Sequence, residues 1–190
     1  TLLKKAAGLQ IRTICPLHGP ILNGDLTPYL QKYQTWSSYQ PEESGVLVAY
    51  ASIHGNTAKA AEFLSEQLWE LGEQVTVLDL TRCDMSDAVQ AAFRYDRMVL
   101  AAASYDGGVF LPMEEFLLHL QAKAFQNRTV ALVENGSWAP SAAKKMRSYL
   151  DTMKNVTVLD TTITIRSAVK QTDETALCEL AKAVHEAAKK

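Results

Sequence analysis

The sequence predicts an α/β protein built on a doubly wound parallel sheet, and three observations carry that expectation. Five short runs rich in β-branched residues recur from Val46 onward, amphipathic helical patterns separate them, and loops rich in Gly, Ser and Asn follow several strands. Several runs are apolar on both faces, which suits a sheet covered on both sides. Separate helical and β layers are the alternative, but the alternation of strand and helix never breaks.

In chain order, residues 1–44 stand apart. Ile11–Cys15 reads as one short strand, after which Pro16, Gly19 and Pro20 interrupt any regular pattern. LTPYLQKYQTWSSY reads as a short helix and PEESG (41–45) as a linker. So little periodicity does not make a core by itself, and this segment reads as the end of another unit. The first strand of the sheet is VLVAYA (46–51). Ala61, Leu64, Leu68 and Leu71 then form a helical stripe that Gly72 is placed to stop. VTVLDL (75–80) and RMVLAAA (97–103) are the second and third strands. Met113, Phe116, Leu117 and Leu120 form the next stripe, with Pro112 suited to its first turn. TVALVE (129–134) is the fourth strand, Ala142, Met146, Tyr149 and Met153 the following stripe, and NVTVLD (155–160) the fifth strand. Leu177, Leu180, Ala181 and Val184 close the chain as a last helix.

Composition narrows the function classes. Hydrophobic residues make up 47% and charged residues 21% of the 190. No apolar run approaches the roughly 18–20 residues of a membrane span. A formal charge of -2 does not provide the clustered Lys and Arg of a general nucleic-acid surface. Cys15, Cys83 and Cys178 are widely separated and form no CxxC pair, as expected of reduced thiols in a cytoplasmic protein. The start, TLLKKAAGLQIRTI, lacks the apolar stretch of a signal peptide, and its first residue is not Met, as in a processed product or an excised fragment.

Ligands of open parallel sheets bind beyond the carboxyl ends of the strands, so the post-strand loops are read as a set. Ser52-Ile53-His54-Gly55-Asn56-Thr57 opens directly into a helix. Hydroxyls and N–H groups at a helix N-terminus hold a phosphate without a full cation. Asn56 or Thr57 as an ordinary N-cap is the other reading. No GxGxxG follows the strand and no GxxxxGK[ST] occurs, so dinucleotide and triphosphate sites are disfavoured. In Ser104-Tyr105-Asp106-Gly107-Gly108 the paired glycines admit a flat ring close to the backbone, or else form a simple turn. In Asn135-Gly136-Ser137-Trp138 the indole is either a pocket wall or a core anchor. Together these loops describe a pocket with phosphate donors at one end and aromatic walls at the other.

The set resembles flavodoxin. YASIHGNTAKAAE, SYDGGVFLPMEEFL and VENGSWAPSAAKKM narrow the resemblance to the flavodoxin-like domain of the flavodiiron proteins, or A-type flavoproteins. ICPLHGPI and YLQKYQTWSSYQPEE resemble the last piece of that family's metallo-β-lactamase-like domain and its linker. The resemblance implies a five-stranded flavodoxin-like sheet in the order 2-1-3-4-5, FMN as cofactor, residues 1–44 as tail and linker, and 45–190 as the FMN domain. Ser52, His54, Gly55, Asn56 and Thr57 would surround the phosphate. Ser104, Tyr105, Asp106, Gly107 and Gly108 would run beside the ring, and Asn135, Gly136, Ser137 and Trp138 would close its other side. Asp106 departs from the asparagine often found there. A carboxylate at that place disfavours an anionic reduced ring and would lower its potential. His18 matches a ligand of the family's di-iron site, whose other ligands lie outside this chain. The implied role is electron transfer in an O2 or NO reductase. Its partners would be rubredoxin or a flavin reductase, the missing iron domain, and a second copy in a head-to-tail dimer. A stand-alone flavodoxin-type carrier, an NAD(P)H-dependent flavin or quinone reductase and a cofactor-free regulatory module are the rivals. A serine hydrolase is disfavoured because no GxSxG elbow occurs.

Overall fold

A computed structural model describes residues 2–6 and 8–189, and their side chains except those of Leu2, Lys4 and Lys189. A short helix α1 (Leu2–Ala6), a two-stranded antiparallel ribbon of β1 (Thr13–Ile14) and β2 (Leu22–Asn23), and helix α2 (Thr27–Ser37) come first. The body follows as β3 (Glu43–Ala51), α3 (Asn56–Glu70), β4 (Val75–Asp79), α4 (Met85–Arg94), β5 (Tyr95–Tyr105) and β6 (Gly108–Val109). It ends with α5 (Leu111–Ala122), β7 (Arg128–Asn135), α6 (Ala142–Leu150), β8 (Val156–Ile165) and α7 (Gln171–Glu186). The five long strands are parallel in the order β4-β3-β5-β7-β8, the expected 2-1-3-4-5 arrangement, while β6 pairs antiparallel with the end of β5.

Alternating strand residues feed two apolar layers, because successive side chains point to opposite faces. Leu47, Ala49, Met98, Leu100 and Leu132 pack with Phe116, Leu117 and Met146 under α4, α5 and α6. Val46, Val48, Val99, Ala101 and Val133 pack with Leu64, Leu68, Leu177 and Leu180 under α3 and α7. The helical stripes therefore face where their spacing predicted. Gly72 ends α3 with a φ of 83°, its N–H on the Trp69 carbonyl and that of Glu73 on the Leu68 carbonyl. Pro112 lies in the first turn of α5.

Three boundaries differ from the sequence reading. Glu43, Ser44 and Gly45 are the start of β3 rather than linker, because Glu43 registers with Tyr95 and the Gly45 N–H donates to Asp96. The fifth strand runs on to Ile165 across an irregularity in register, well past residue 160. Helix α6 stops at Leu150, so Met153 is buried from a turn rather than from the helix. Helix α4 is an addition. Its N-cap is Asp84, whose carboxylate accepts the Ser86 N–H, and Arg94 lies in its last turn.

Two buried arginines organise the amino end of the sheet. Arg97 makes two 2.7 Å bonds to Glu73, which also meets His185 Nδ1 at 2.7 Å. Burial opposes the Glu73 carboxylate, but the hydrogen bonds from Arg97 and His185 outweigh it and hold the group below the usual carboxylate range. Arg128 instead faces main-chain carbonyls: those of Tyr95 and Phe93 at 2.6 Å, Tyr39 at 2.8 Å, and Gln126 and Asn127 at 3.1 Å. It thereby ties the segment before β3 to the end of α4. The preceding elements carry exposed Leu9, Ile11, Leu17, Ile21, Tyr29, Tyr33 and Trp36, and α2 buries none of its residues.

Candidate functional site

The turn after β3 is set by Gly55, the N-cap residue of α3, whose φ of 83° lies in the left-handed region. Ser52 Oγ accepts the Gly55 N–H at 3.1 Å, closing the turn. Gly55 brings no side chain to the helix, and no side-chain cap bond is made there. Asn56 and Thr57 are the first two residues of the helix, so neither is its N-cap. The early N–H groups of α3 are left for water or an anion.

A cleft of about 220 Å³ opens beside this turn, at the carboxyl ends of the strands. Of the expected residues, Ser52, His54, Asn56, Thr57, Ser104, Asn135, Gly136 and Ser137 line it. Ile53, Ala103 and Ser167 join them. Tyr105, Asp106, Gly107 and Gly108 line a separate hollow of about 510 Å³, with Leu111, Glu114 and Lys145 on its other side. Trp138 belongs to neither lining and is 95% exposed, which removes the core-anchor reading and leaves the indole free at the rim. Tyr105 is half-exposed and packs on Phe110 with ring centroids 5.8 Å apart.

The SYDGGV stretch is a two-residue β-hairpin. Ser104 registers with Val109 and Tyr105 with Gly108, while Asp106 and Gly107 have φ of 47° and 68°. A type I′ turn needs positive φ at both central positions, which Asp, Asn and Gly tolerate best. The aspartate thus keeps the turn and adds a charge.

Hydrogen bonding assigns several expected residues to holding the loops in place. Ser104 Oγ accepts the N–H groups of Ser141 and Ala142 at 2.9 and 3.2 Å, capping α6 from another element. Buried Glu134 accepts the Ala143 N–H and the Thr164 hydroxyl, both at 2.9 Å. Asn135 grips Ser167 through both its N–H and its C=O, joining the loops after β7 and β8. A Cβ on Gly136 would lie 2.9 Å from Ser104 Oγ and 3.1 Å from Pro140 Cα, so only glycine fits without movement. Beside the hairpin, hydrogen bonds from Tyr149 and then Lys145 hold the Glu114 carboxyl below its ordinary range. Sequence reasoning missed Ser141, Glu134 and Ser167. Ser167 also follows a strand, but the local pattern shows that strand only to residue 160, five residues before its end.

The cleft's polar groups are hydroxyls, carboxamides, main-chain N–H groups and the His54 ring, with no Lys or Arg in its lining. That set fits a phosphate monoester. A larger hollow of about 680 Å³ between α1 and α2 is lined by apolar groups such as Leu3, Ile11 and Leu30 together with Thr27, Gln10, Gln31 and Gln34. His18 is exposed on the loop between β1 and β2, and among the described residues no group of three or more His, Cys, Asp or Glu is placed to hold a metal. Among them too, no helix is long and apolar enough to cross a membrane.

A flavodoxin-domain family model matches residues 47–168. The putative diflavin flavoprotein A 3 of Synechocystis is 24% identical over 93% of this chain and 30% of its own length. The anaerobic nitric oxide reductase flavorubredoxin of Klebsiella pneumoniae is 24% identical over 75% of this chain and 30% of its own length. Rubredoxin oxygen:oxidoreductase from Desulfovibrio gigas superposes with a TM-score of 0.91 at 20% identity, over 99% of this chain and 47% of that one. The chain thus spans less than half the length of these relatives. With the domain model covering well over half of its residues, and relatives among the flavodiiron proteins, the chain belongs to the flavodoxin domain family.

Proposed function

We propose that this chain is the FMN-binding electron-transfer domain of a flavodiiron O2 or NO reductase, taking electrons from a small redox partner and passing them to a di-iron site outside the chain. The observation that carries the reading is the cleft beyond β3, β5 and β7, where the side-chain-uncapped start of α3 meets Ser52, Asn56 and Thr57. An enclosed pocket for a whole cofactor is usually about 300–1,000 Å³. A cleft of about 220 Å³ suits the phosphate and ribityl end. The ring would then lie over the mouth, between the Tyr105–Gly108 hairpin and the Ser137–Trp138 rim. Bound FMN supplies the redox chemistry. The protein's residues bind its phosphate, orient the ring and, through Asp106, place a negative charge near it.

Residues 1–44 serve in this reading as tail and linker of a metallo-β-lactamase-like domain, with Glu43 and Ser44 at their end already part of β3, and 45–190 as the FMN domain. The exposed apolar side chains of α2 and the β1–β2 ribbon fit a segment built to be covered by further protein. His18 would then join iron only when the missing ligands are present. Rubredoxin and oxygen stand in the name of one relative and nitric oxide in that of another, which supports a rubredoxin-like donor and an O2 or NO acceptor, with a flavin reductase as the other donor in this reading. A head-to-tail homodimer and a cytoplasmic setting complete the proposal.

Calorimetric titration of the purified chain with FMN, FAD and riboflavin tests it. FMN is expected to bind one per chain, more tightly than either other flavin. Riboflavin binding as tightly as FMN would remove the role given to residues 52–57, and absence of FMN binding would overturn the reading.

A further inference from the structure

We infer that Ser141 is a positioning residue for the flavin-side hairpin, so that the first turn of α6 sets how Tyr105–Gly108 meets a ring bound beside it. The inference rests on the FMN reading. Ser141 is the N-cap residue of α6, yet its side chain makes no bond to its own helix. An N-cap serine ordinarily accepts an N–H two or three residues on. Here the hydroxyl donates instead to the Gly108 carbonyl at 2.8 Å.

That exchange is possible because other groups cap α6. Ser104 Oγ takes the N–H groups of Ser141 and Ala142, and Glu134 takes that of Ala143. Glu134 is 7% exposed and is itself held by Thr164 on β8. The serine hydroxyl is therefore released from capping and mounted on groups anchored in β5, β7 and β8. Its target needs such support. The hairpin has only two registered pairs, and a two-stranded ribbon this short is marginal alone. Val109 is buried at its root, but Tyr105, Asp106 and Gly107 are exposed at its tip. Ser141 pins the junction between the two.

The consequence for a bound ring follows from linkage. Oxidised and reduced FMN differ in charge and protonation, so they meet the hairpin's peptide dipoles and the Asp106 carboxylate with different free energies. The ratio of their affinities sets the shift in potential on binding, and whatever fixes the hairpin enters that ratio. A merely structural serine would change stability and leave the ratio alone.

The test uses the full chain with Ser141→Ala, Ser141→Thr and, as a control on the same helix, Ser148→Ala, whose hydroxyl donates to the Lys145 carbonyl one turn back. Amide exchange is followed in the FMN-free proteins, and the midpoint potential in the FMN-loaded ones. A lost hydrogen bond of about 1 kcal/mol should speed exchange in residues 105–109 about fivefold in Ser141→Ala. The affinity ratio should shift at least about threefold, or about 28 mV for a one-electron couple at about 59 mV per tenfold. Ser141→Thr should restore both, and Ser148→Ala should move neither. If Ser141→Ala does not fold, Ser141→Cys, a weaker donor, should give an intermediate shift. An unchanged potential in the folded Ala or Cys variant overturns the inference, as does an equal shift in Ser148→Ala. Failure of the unaltered chain to bind FMN overturns the functional reading and this inference with it, whereas binding without a Ser141 effect overturns only the inference.

Discussion

Replacing Arg128 with Met removes a buried cation that bonds five main-chain carbonyls. Its side chain belongs to a residue only 3% exposed, and burial pushes the guanidinium down to about 10, which leaves it charged at neutral pH. A hydrogen bond from a charged donor contributes about 1.5–3 kcal/mol, and a buried carbonyl left without a partner costs about 1–3 kcal/mol. The 2.6 Å bonds to Phe93 and Tyr95 dominate, because they close the end of α4 where β5 begins. Methionine is freed from the cost of burying a charge, which offsets part of the loss. The expected net destabilisation is about 2–4 kcal/mol, equivalent to a Tm lowered by about 5–15 °C in a chain of this size. The change should also be local. Losing the bond to the Tyr39 carbonyl frees the segment before β3, so chymotrypsin should cut after Trp36 and Tyr39 faster than in the unaltered chain. Urea unfolding followed by circular dichroism gives the first quantity and mass spectrometry of timed digests the second. A loss below about 1 kcal/mol, or unchanged cleavage at both aromatic sites, would refute the clamp.

Two further outcomes are expected. Glu73 has a folded pKa below its ordinary value, so its contribution is present above the unfolded pKa, about 4.3, and is lost as pH falls through the lower folded value. Glu73→Gln should therefore be less stable than the unaltered chain at pH 7, with the gap narrowing below about pH 4.3; a gap independent of pH in urea titrations would argue against that linkage. Trp138→Ala and Tyr105→Ala, made separately, should raise the fluorescence of bound FMN in at least one case, since a stacked electron-rich ring quenches it. Unchanged emission in both would leave the mouth of the cleft without aromatic walls.

Legibility in the sequence followed contrast. The strands at Val46–Ala51 and Val130–Val133 were plain because both faces are apolar, and the stripes of α3, α5 and α7 because large side chains recur at helical spacing. Helix α4 makes no visible stripe, since its buried positions are Ala88, Val89, Ala91 and Ala92, which stand out little from their neighbours, and only the Asp84 cap marks it. The end of β8, TTITI, is a strand pattern of alternating Thr and Ile, but Asp160 and a break in register with β7 separate it from the NVTVLD run.

The sequence by itself determined the alternation of strands and helices, the apolar faces that require cover and the loop that ends each strand, since each is written in residues a few positions apart. Only the tertiary structure decided what the residues in those loops do. Ser104 reaches an amide at Ser141, Ser141 reaches the carbonyl of Gly108, and Asn135 reaches Ser167, all pairs more than thirty residues apart along the chain. Trp138, expected at a wall or in the core, stands 95% exposed. Local pattern specifies which elements form, but a hydrogen bond between loops exists only after the sheet has fixed the order and register of the strands that carry them, and no local period records that.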